Sequence, residues 1–117
     1  MNDSILDTIK RLLGIVPEYT QFDGDIIVHI NSVFVILNEL GAGPEECFAI
    51  TGNTETWNQF TQNKKAMEMV KSNVYMKVRM MFDPPQSSMV VDAMQANVSE
   101  LEWRIMIECE KEMNANG

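Results

Sequence analysis

The spacing of apolar positions along the chain predicts helices and little else. Ile5, Leu6, Ile9, Leu12 and Leu13 recur at three- and four-residue intervals and share one face of a short first helix. Asp3 or Ser4 can cap its start, Lys10 and Arg11 suit the negative end of its dipole, and Gly14 with Pro17 stops it. A second helix is predicted after Asp23-Gly24-Asp25, where a capping carboxylate meets the positive helix end, and it runs to Leu40 before Gly41. Ile26, Ile27, Ile30, Val33, Phe34, Leu37 and Leu40 form its broad core stripe; Val28 and Val35 fall on the opposite side.

From Gly41 to Asn53 the pattern reads as a loop, in which Cys47-Phe48-Ala49-Ile50 admits one short extended segment. Thr54 is placed to cap a brief helical turn carrying Trp57 and Phe60. A long helix is predicted from Lys64 to Phe82, with Met67, Val70, Val74, Val78 and Met81 as its main core stripe. Met69, Met76 and Met80 cluster on a second face more than a quarter turn away. A helix apolar on two sides is either the central element of its bundle or one that meets another subunit. Asp83-Pro84-Pro85 then makes a rigid structural corner, because proline removes a donor and drives the preceding residue out of the helical region.

Ser87 or Ser88 can cap the last helix, which is expected to run towards Glu112. Val90, Met94, Val98, Leu101 and Ile105 line one of its faces; Met89, Ala96, Trp103 and Ile107 line another. The tail from Asn114 to Gly117 is expected to fray. No stretch shows the sustained alternation of a sheet strand. The fold class expected is therefore all-α: one domain over residues 1–117, a small bundle of four to five helices ending in a long one.

Composition supports a core and narrows the partners. At 117 residues with 45% hydrophobic content, a compact fold needs neither disulfides nor a structural metal. The formal charge of -8 is unevenly spread: residues 1–60 carry two basic and nine acidic side chains, residues 61–117 seven and eight. Binding nucleic acid through the surface depends on Lys and Arg neutralising phosphates, so this balance argues against it. The longest apolar run, Val33 to Leu37, is too short to cross a membrane, and no basic flank with an apolar signal follows the N-terminus; a soluble protein made inside the cell is expected. Cys47 and Cys109 match no metal or disulfide spacing and read as plain thiols.

No catalytic constellation emerges. His29, the single histidine, lies at the edge of the second helix's core stripe without a nucleophile to serve. A calcium loop starting at Asp23 would need a bidentate Glu at its twelfth position, where Phe34 stands. Gly41-Ala42-Gly43 is followed by Pro44-Glu45-Glu46, which removes a donor and puts two negative charges where a phosphate would lie. Glu108, Glu110 and Glu112 lack histidine partners and read as a solvated acidic end. No enzyme, cofactor or metal is expected. The unusual feature is apolar surplus: ten methionines, and secondary stripes on three helices. Met69, Met76 and Met80 can simply fill a core, and Trp57 and Trp103 read as core residues, Trp103 being the better candidate for an interface anchor. Collectively, Val28, Val35, Met69, Met76, Met80, Trp103 and Ile107 are candidates for contacts with another subunit, since contiguous exposed apolar surface on soluble proteins marks interfaces.

Particular strings carry a family resemblance. ILDTIKRLLGI from Ile5 to Ile15, FDGDIIVHINSVF from Phe22 to Phe34, VKSNVYMKVRMMFDPP from Val70 to Pro85 and ELEWR from Glu100 to Arg104 resemble the small head-tail connector proteins of long-tailed bacteriophages. Phe82-Asp83-Pro84-Pro85 and Glu100-Leu101-Glu102-Trp103-Arg104 are the most specific of these. The resemblance implies an all-helical adaptor, a homo-oligomeric ring of about a dozen copies below the portal protein at the neck of the virion. Such a ring extends the DNA channel and docks a stopper or tail completion protein; it implies no catalytic residue and no membrane. An acidic lumen would let DNA slide through without specific binding, so some first-half carboxylates are expected to face the channel. The rival classes are a small acidic helical protein that inhibits or mimics a nucleic-acid partner, and an enzyme built on scattered carboxylates.

Overall fold

The computed structural model describes residues 3–116 and contains five helices: α1 (Ile5–Leu12), α2 (Asp23–Glu39), α3 (Trp57–Phe60), α4 (Lys64–Phe82) and α5 (Ser88–Asn116). Among the described residues there is no strand; one isolated bridge pairs Ser4 with Thr56. The all-α expectation holds, including the long C-terminal helix. That helix continues to Asn116 rather than ending near Glu112, since no glycine or proline interrupts it before Gly117, which lies outside the described residues.

The helix starts follow local chemistry, not always at the expected residue. Ser4 Oγ accepts from the Asp7 N–H at 3.2 Å and caps α1, and Ser87 Oγ accepts from Val90 N–H at 3.4 Å at the start of α5. Asp23 is not the cap of α2: the helix begins at Asp23 itself, after Phe22, and the carboxylate turns to Lys10 instead. Thr54 is likewise not the cap of α3. That position belongs to Thr56, whose backbone N–H is taken by Gln59 Oε1 at 2.9 Å. Asn63 Oδ1 caps α4, accepting from the Ala66 N–H at 3.0 Å.

The core forms where α1, α2, α3 and α4 meet. Ile5, Leu6 and Ile9 of α1, the α2 stripe Ile26, Ile30, Val33, Phe34 and Leu37, and Val70, Val74 and Val78 of α4 are all buried, and α5 adds Ile105 and Cys109. Phe34 stacks on Phe60 with ring centroids 4.7 Å apart, and Phe48 and Trp57 meet Phe34 edge-on. Burying side chains of this size contributes about 1.5–3 kcal/mol each. The Cys47–Ile50 run forms no strand. Asn31 replaces a strand partner by clamping Ile50 on both sides, Nδ2 donating to its carbonyl at 3.0 Å and Oδ1 accepting from its N–H at 2.8 Å.

Helix α4 is the central element. It packs against α1, α2 and α5, whereas α2 and α5 share no substantial contact with each other. Its bond to α5 is antiparallel: Lys77 Nζ reaches Glu102 at 2.8 Å, while the Asn63 amide at the other end reaches Glu108 at 3.1 Å and Glu112 at 2.8 Å. Asp83, Pro84 and Pro85 lie in the short turn between the two helices, where Arg79 Nε also donates to the Asp83 carbonyl at 2.6 Å. Three residues expected in the core are exposed instead: Leu12, Met81 and Val90. Leu12 lies beyond the two turns of α1 that the core covers. Met81 and Val90 belong to the tip of the α4–α5 hairpin, past Val78 on one helix and before Val98 on the other, where burial ends.

Candidate interaction surfaces

Among the described residues no group of three or more His, Cys, Asp or Glu side chains converges as a metal site would. An open cleft lined by Gly43, Phe60, Thr61, Cys109, Glu112 and Met113 lies between the 41–44 loop and the ends of α4 and α5. Its thiol is a poor nucleophile: burial pushes the Cys109 pKa up, and the charges of Glu112 and Glu108 push it further. His29 is half-buried on α2, and Cys47 lies exposed on the loop at a φ of 67°. What the surface does offer is unpartnered apolar area.

The outer side of α2 carries it first. Val28 is 65% exposed and Val35 49%, with Ile36 beside them, all turned away from the buried stripe. The outer side of α5 carries it again. Trp103 is 60% exposed, so its reading as a core residue is overturned: the core face of α5 runs through Val98, Ile105 and Cys109, and Trp103 points the other way. Ile107, one turn on, is half-buried. Towards the hairpin tip Met89 is exposed to 80%. Trp57, in contrast, is buried, and its Nε1 donates to Thr8 Oγ1 at 3.1 Å.

Met69, Met76 and Met80 are half-buried. Their stripe lies on the side of α4 that holds Asn73 and Lys77, the side turned to Glu102 of α5. Met69 packs directly against the core. The central position of α4 fits its double apolar character, and all three methionines keep part of their surface in solvent.

Two polar features escaped the sequence reading. The C-terminal carboxylates are not merely solvated: Glu108 and Glu112 take the Asn63 amide, and that hydrogen bond, offset by burial and aided by Lys65 and Lys111, holds the Glu108 pKa below its usual value. Lys77 and Asn73 meet Glu102 inside the hairpin, Asn73 fully buried with its Oδ1 unpaired. The cap pattern of Asn63 before Lys64 was readable; the α4–α5 register that brings Glu102 to Lys77 was not.

Helix α4 lies at the centre, α2 and α5 carry exposed apolar residues, the acids concentrate in the first half, and no metal-like cluster is present among the described residues. Among the described residues no helix is long and apolar enough to cross a membrane. No curated protein and no solved structure gives a significant match to the chain. Residues 5–112, which hold every helix apart from the last turn of α5, match the family model described as phage connector protein, and the chain belongs to that family.

Proposed function

We propose that this protein is an adaptor subunit of the phage head-tail joint, a structural component of the virion neck with no catalytic role. The observation that carries the reading is the family match over residues 5–112. In this reading copies of the chain form a ring of about a dozen under the portal protein, lengthen the DNA channel, and present a surface to the stopper or tail completion protein. The exposed flanks support it. A closed ring of identical subunits needs two different lateral surfaces on each copy, and Val28 and Val35 on α2 and Trp103 and Ile107 on α5 supply two. The rims of Met69, Met76 and Met80 extend the contact along α4.

Charge supports the channel role. With nine of its acids and two of its bases in residues 1–60, the chain can line a lumen with carboxylates that repel phosphate and let DNA pass. Assembly of phage particles without this protein tests the reading. Heads that package DNA but fail to join tails are expected, with joining restored by adding the purified chain; normal tailed particles in its absence would overturn it.

A further inference from the structure

The two outer flanks fit each other better than either fits itself. Helices α2 and α5 run in the same direction, each antiparallel to α4: Phe22, just before α2, meets Phe82 at the end of α4 with ring centroids 5.4 Å apart, and Gly41, just after α2, lies beside Cys109 of α5. A Cβ on Gly41 would be 3.6 Å from Cys109 Cβ, which fixes the relative level of the two helices. Six residues back from each, about 9 Å at 1.5 Å per residue, are Val35 and Trp103. The exposed apolar residues of both flanks therefore stand at one height.

Charge selects the pairing. Helix α2 contains Asp23, Asp25 and Glu39 and no Lys or Arg, and Glu45 and Glu46 lie exposed just past its end. Two α2 flanks brought together would set acid against acid. Along one edge of the Trp103–Ile107 stripe, however, stand the exposed cations Arg104 and Lys111. An α5 flank carries both signs, with Glu100 and Glu110 near the cations, so it gains less from a second α5 flank than from one that is acidic alone. Arg104 is held by Glu100 at 3.0 Å, with both side chains largely in water, and such a pair is weak enough to exchange partners.

We propose that the α5 flank of one copy docks on the α2 flank of a second copy, Trp103 and Ile107 packing on Val35 and Ile36 while Arg104 and Lys111 meet Glu39 and Glu45. The contact is heterologous, so each copy keeps one free α2 flank and one free α5 flank for the next. A rotation about an axis parallel to the helices brings equal heights together, as the shared level of Val35 and Trp103 requires. This pairing rests on the adaptor reading and specifies which surfaces make its ring.

The test is cross-linking in a chain carrying Cys47→Ser and Cys109→Ser, with Val35→Cys and Ile107→Cys added, treated with a short bismaleimide alone and on the portal protein. The two new thiols lie on opposite flanks of one subunit, so a ladder of linked multimers is expected from the double variant. Val35→Cys or Ile107→Cys alone should give no linked product. Reversing charge with Arg104→Glu and Lys111→Glu should abolish the ladder, and mixing that chain with one bearing Glu39→Lys and Glu45→Lys should restore a ladder in which the two chains alternate. Multimers of the expected mass that give no Val35–Ile107 link overturn the pairing and leave the adaptor reading standing. Linked dimers from a single-cysteine chain overturn it in favour of like-on-like contacts. A chain that stays monomeric with and without the portal overturns both.

Discussion

Lys10 Nζ lies 2.8 Å from Asp23 Oδ1, and the lysine side chain is only 1% exposed. The same ammonium donates to the Pro17 carbonyl at 2.9 Å, so one buried cation ties α1, the 13–22 connection and the first turn of α2 together. Removing one member of a fully buried pair costs about 3–5 kcal/mol. Asp23 keeps a quarter of its side chain in water, which lowers the expected loss for Lys10→Met to about 2 kcal/mol. Denaturant titration of Lys10→Met, Asp23→Asn and the double variant checks it; the double should lose less than the two singles summed, and full additivity would show that the pair is not coupled.

The two tryptophans should behave as opposites. Trp57→Ala empties a fully enclosed site and removes the indole hydrogen bond to Thr8, a loss of about 3–5 kcal/mol that leaves little folded protein. Trp103→Ala removes a side chain already in water and should leave the melting temperature nearly unchanged while abolishing incorporation into particles. Circular dichroism melts and particle binding, run on both variants, separate the two roles.

Gly43 has two reasons to be glycine. Its φ is 80°, and an added Cβ would collide with the Phe60 ring, itself stacked on Phe34. Gly14 has a similar φ of 85° with nothing within 4 Å. Gly14→Ala should therefore cost about 1 kcal/mol, from backbone conformation alone. Gly43→Ala should cost at least about 2 kcal/mol, because the aromatic stack must shift as well. Equal losses in parallel denaturation curves would mean that the Phe60 contact yields without strain.

The bounds of α4 and the buried stripes of α2 and α4 were legible; the caps of α2 and α3 and the long-range polar contacts were not. The bounds of α4, Lys64 to Phe82, follow from its apolar period and from the Asp83-Pro84-Pro85 stop, both local signals. Lys10 looked like an ordinary dipole-matching cation because its partner, Asp23, is set by how the 13–22 connection folds back. Asn31 carries no local signal for its clamp on Ile50, which depends on where a loop nineteen residues away comes to rest. Trp103 lies opposite Val98 and Ile105 in projection, but only the absence of a further helix over that face shows that it is exposed. The surface candidates came from periodicity; which of them reach solvent came from the packing around α4.

Glu55 gives the loop a pH dependence of definite sign. Burial raises its pKa, but hydrogen bonds from the Thr51 hydroxyl and from the Thr51, Glu55 and Gly52 amides outweigh that and hold it below the usual glutamate value. A depressed folded-state pKa means that the unfolded chain takes up the proton first. The contribution is thus complete above the unfolded pKa and is lost as pH falls through the folded one. Stability measured from pH 6 downward should fall less steeply in Glu55→Gln than in the parent chain; an identical acid limb in the two would remove Glu55 from the account.

Thiol chemistry separates the two cysteines. Cys47 is exposed and Cys109 is buried with a raised pKa, so a disulfide reagent at neutral pH should modify one thiol per native chain quickly and the second only on unfolding. Two fast thiols would mean that the α5 end opens away from Gly41 in solution.

The absolute mass of the purified protein by light scattering, alone and after mixing with the portal protein of the same phage, tests the adaptor assignment most directly. A large closed oligomer, or monomers that add to the portal in ring stoichiometry, is the expected result. A monomer or dimer that ignores the portal at every mixing ratio contradicts it, and would place the chain among small acidic binding proteins that share the connector fold without its role.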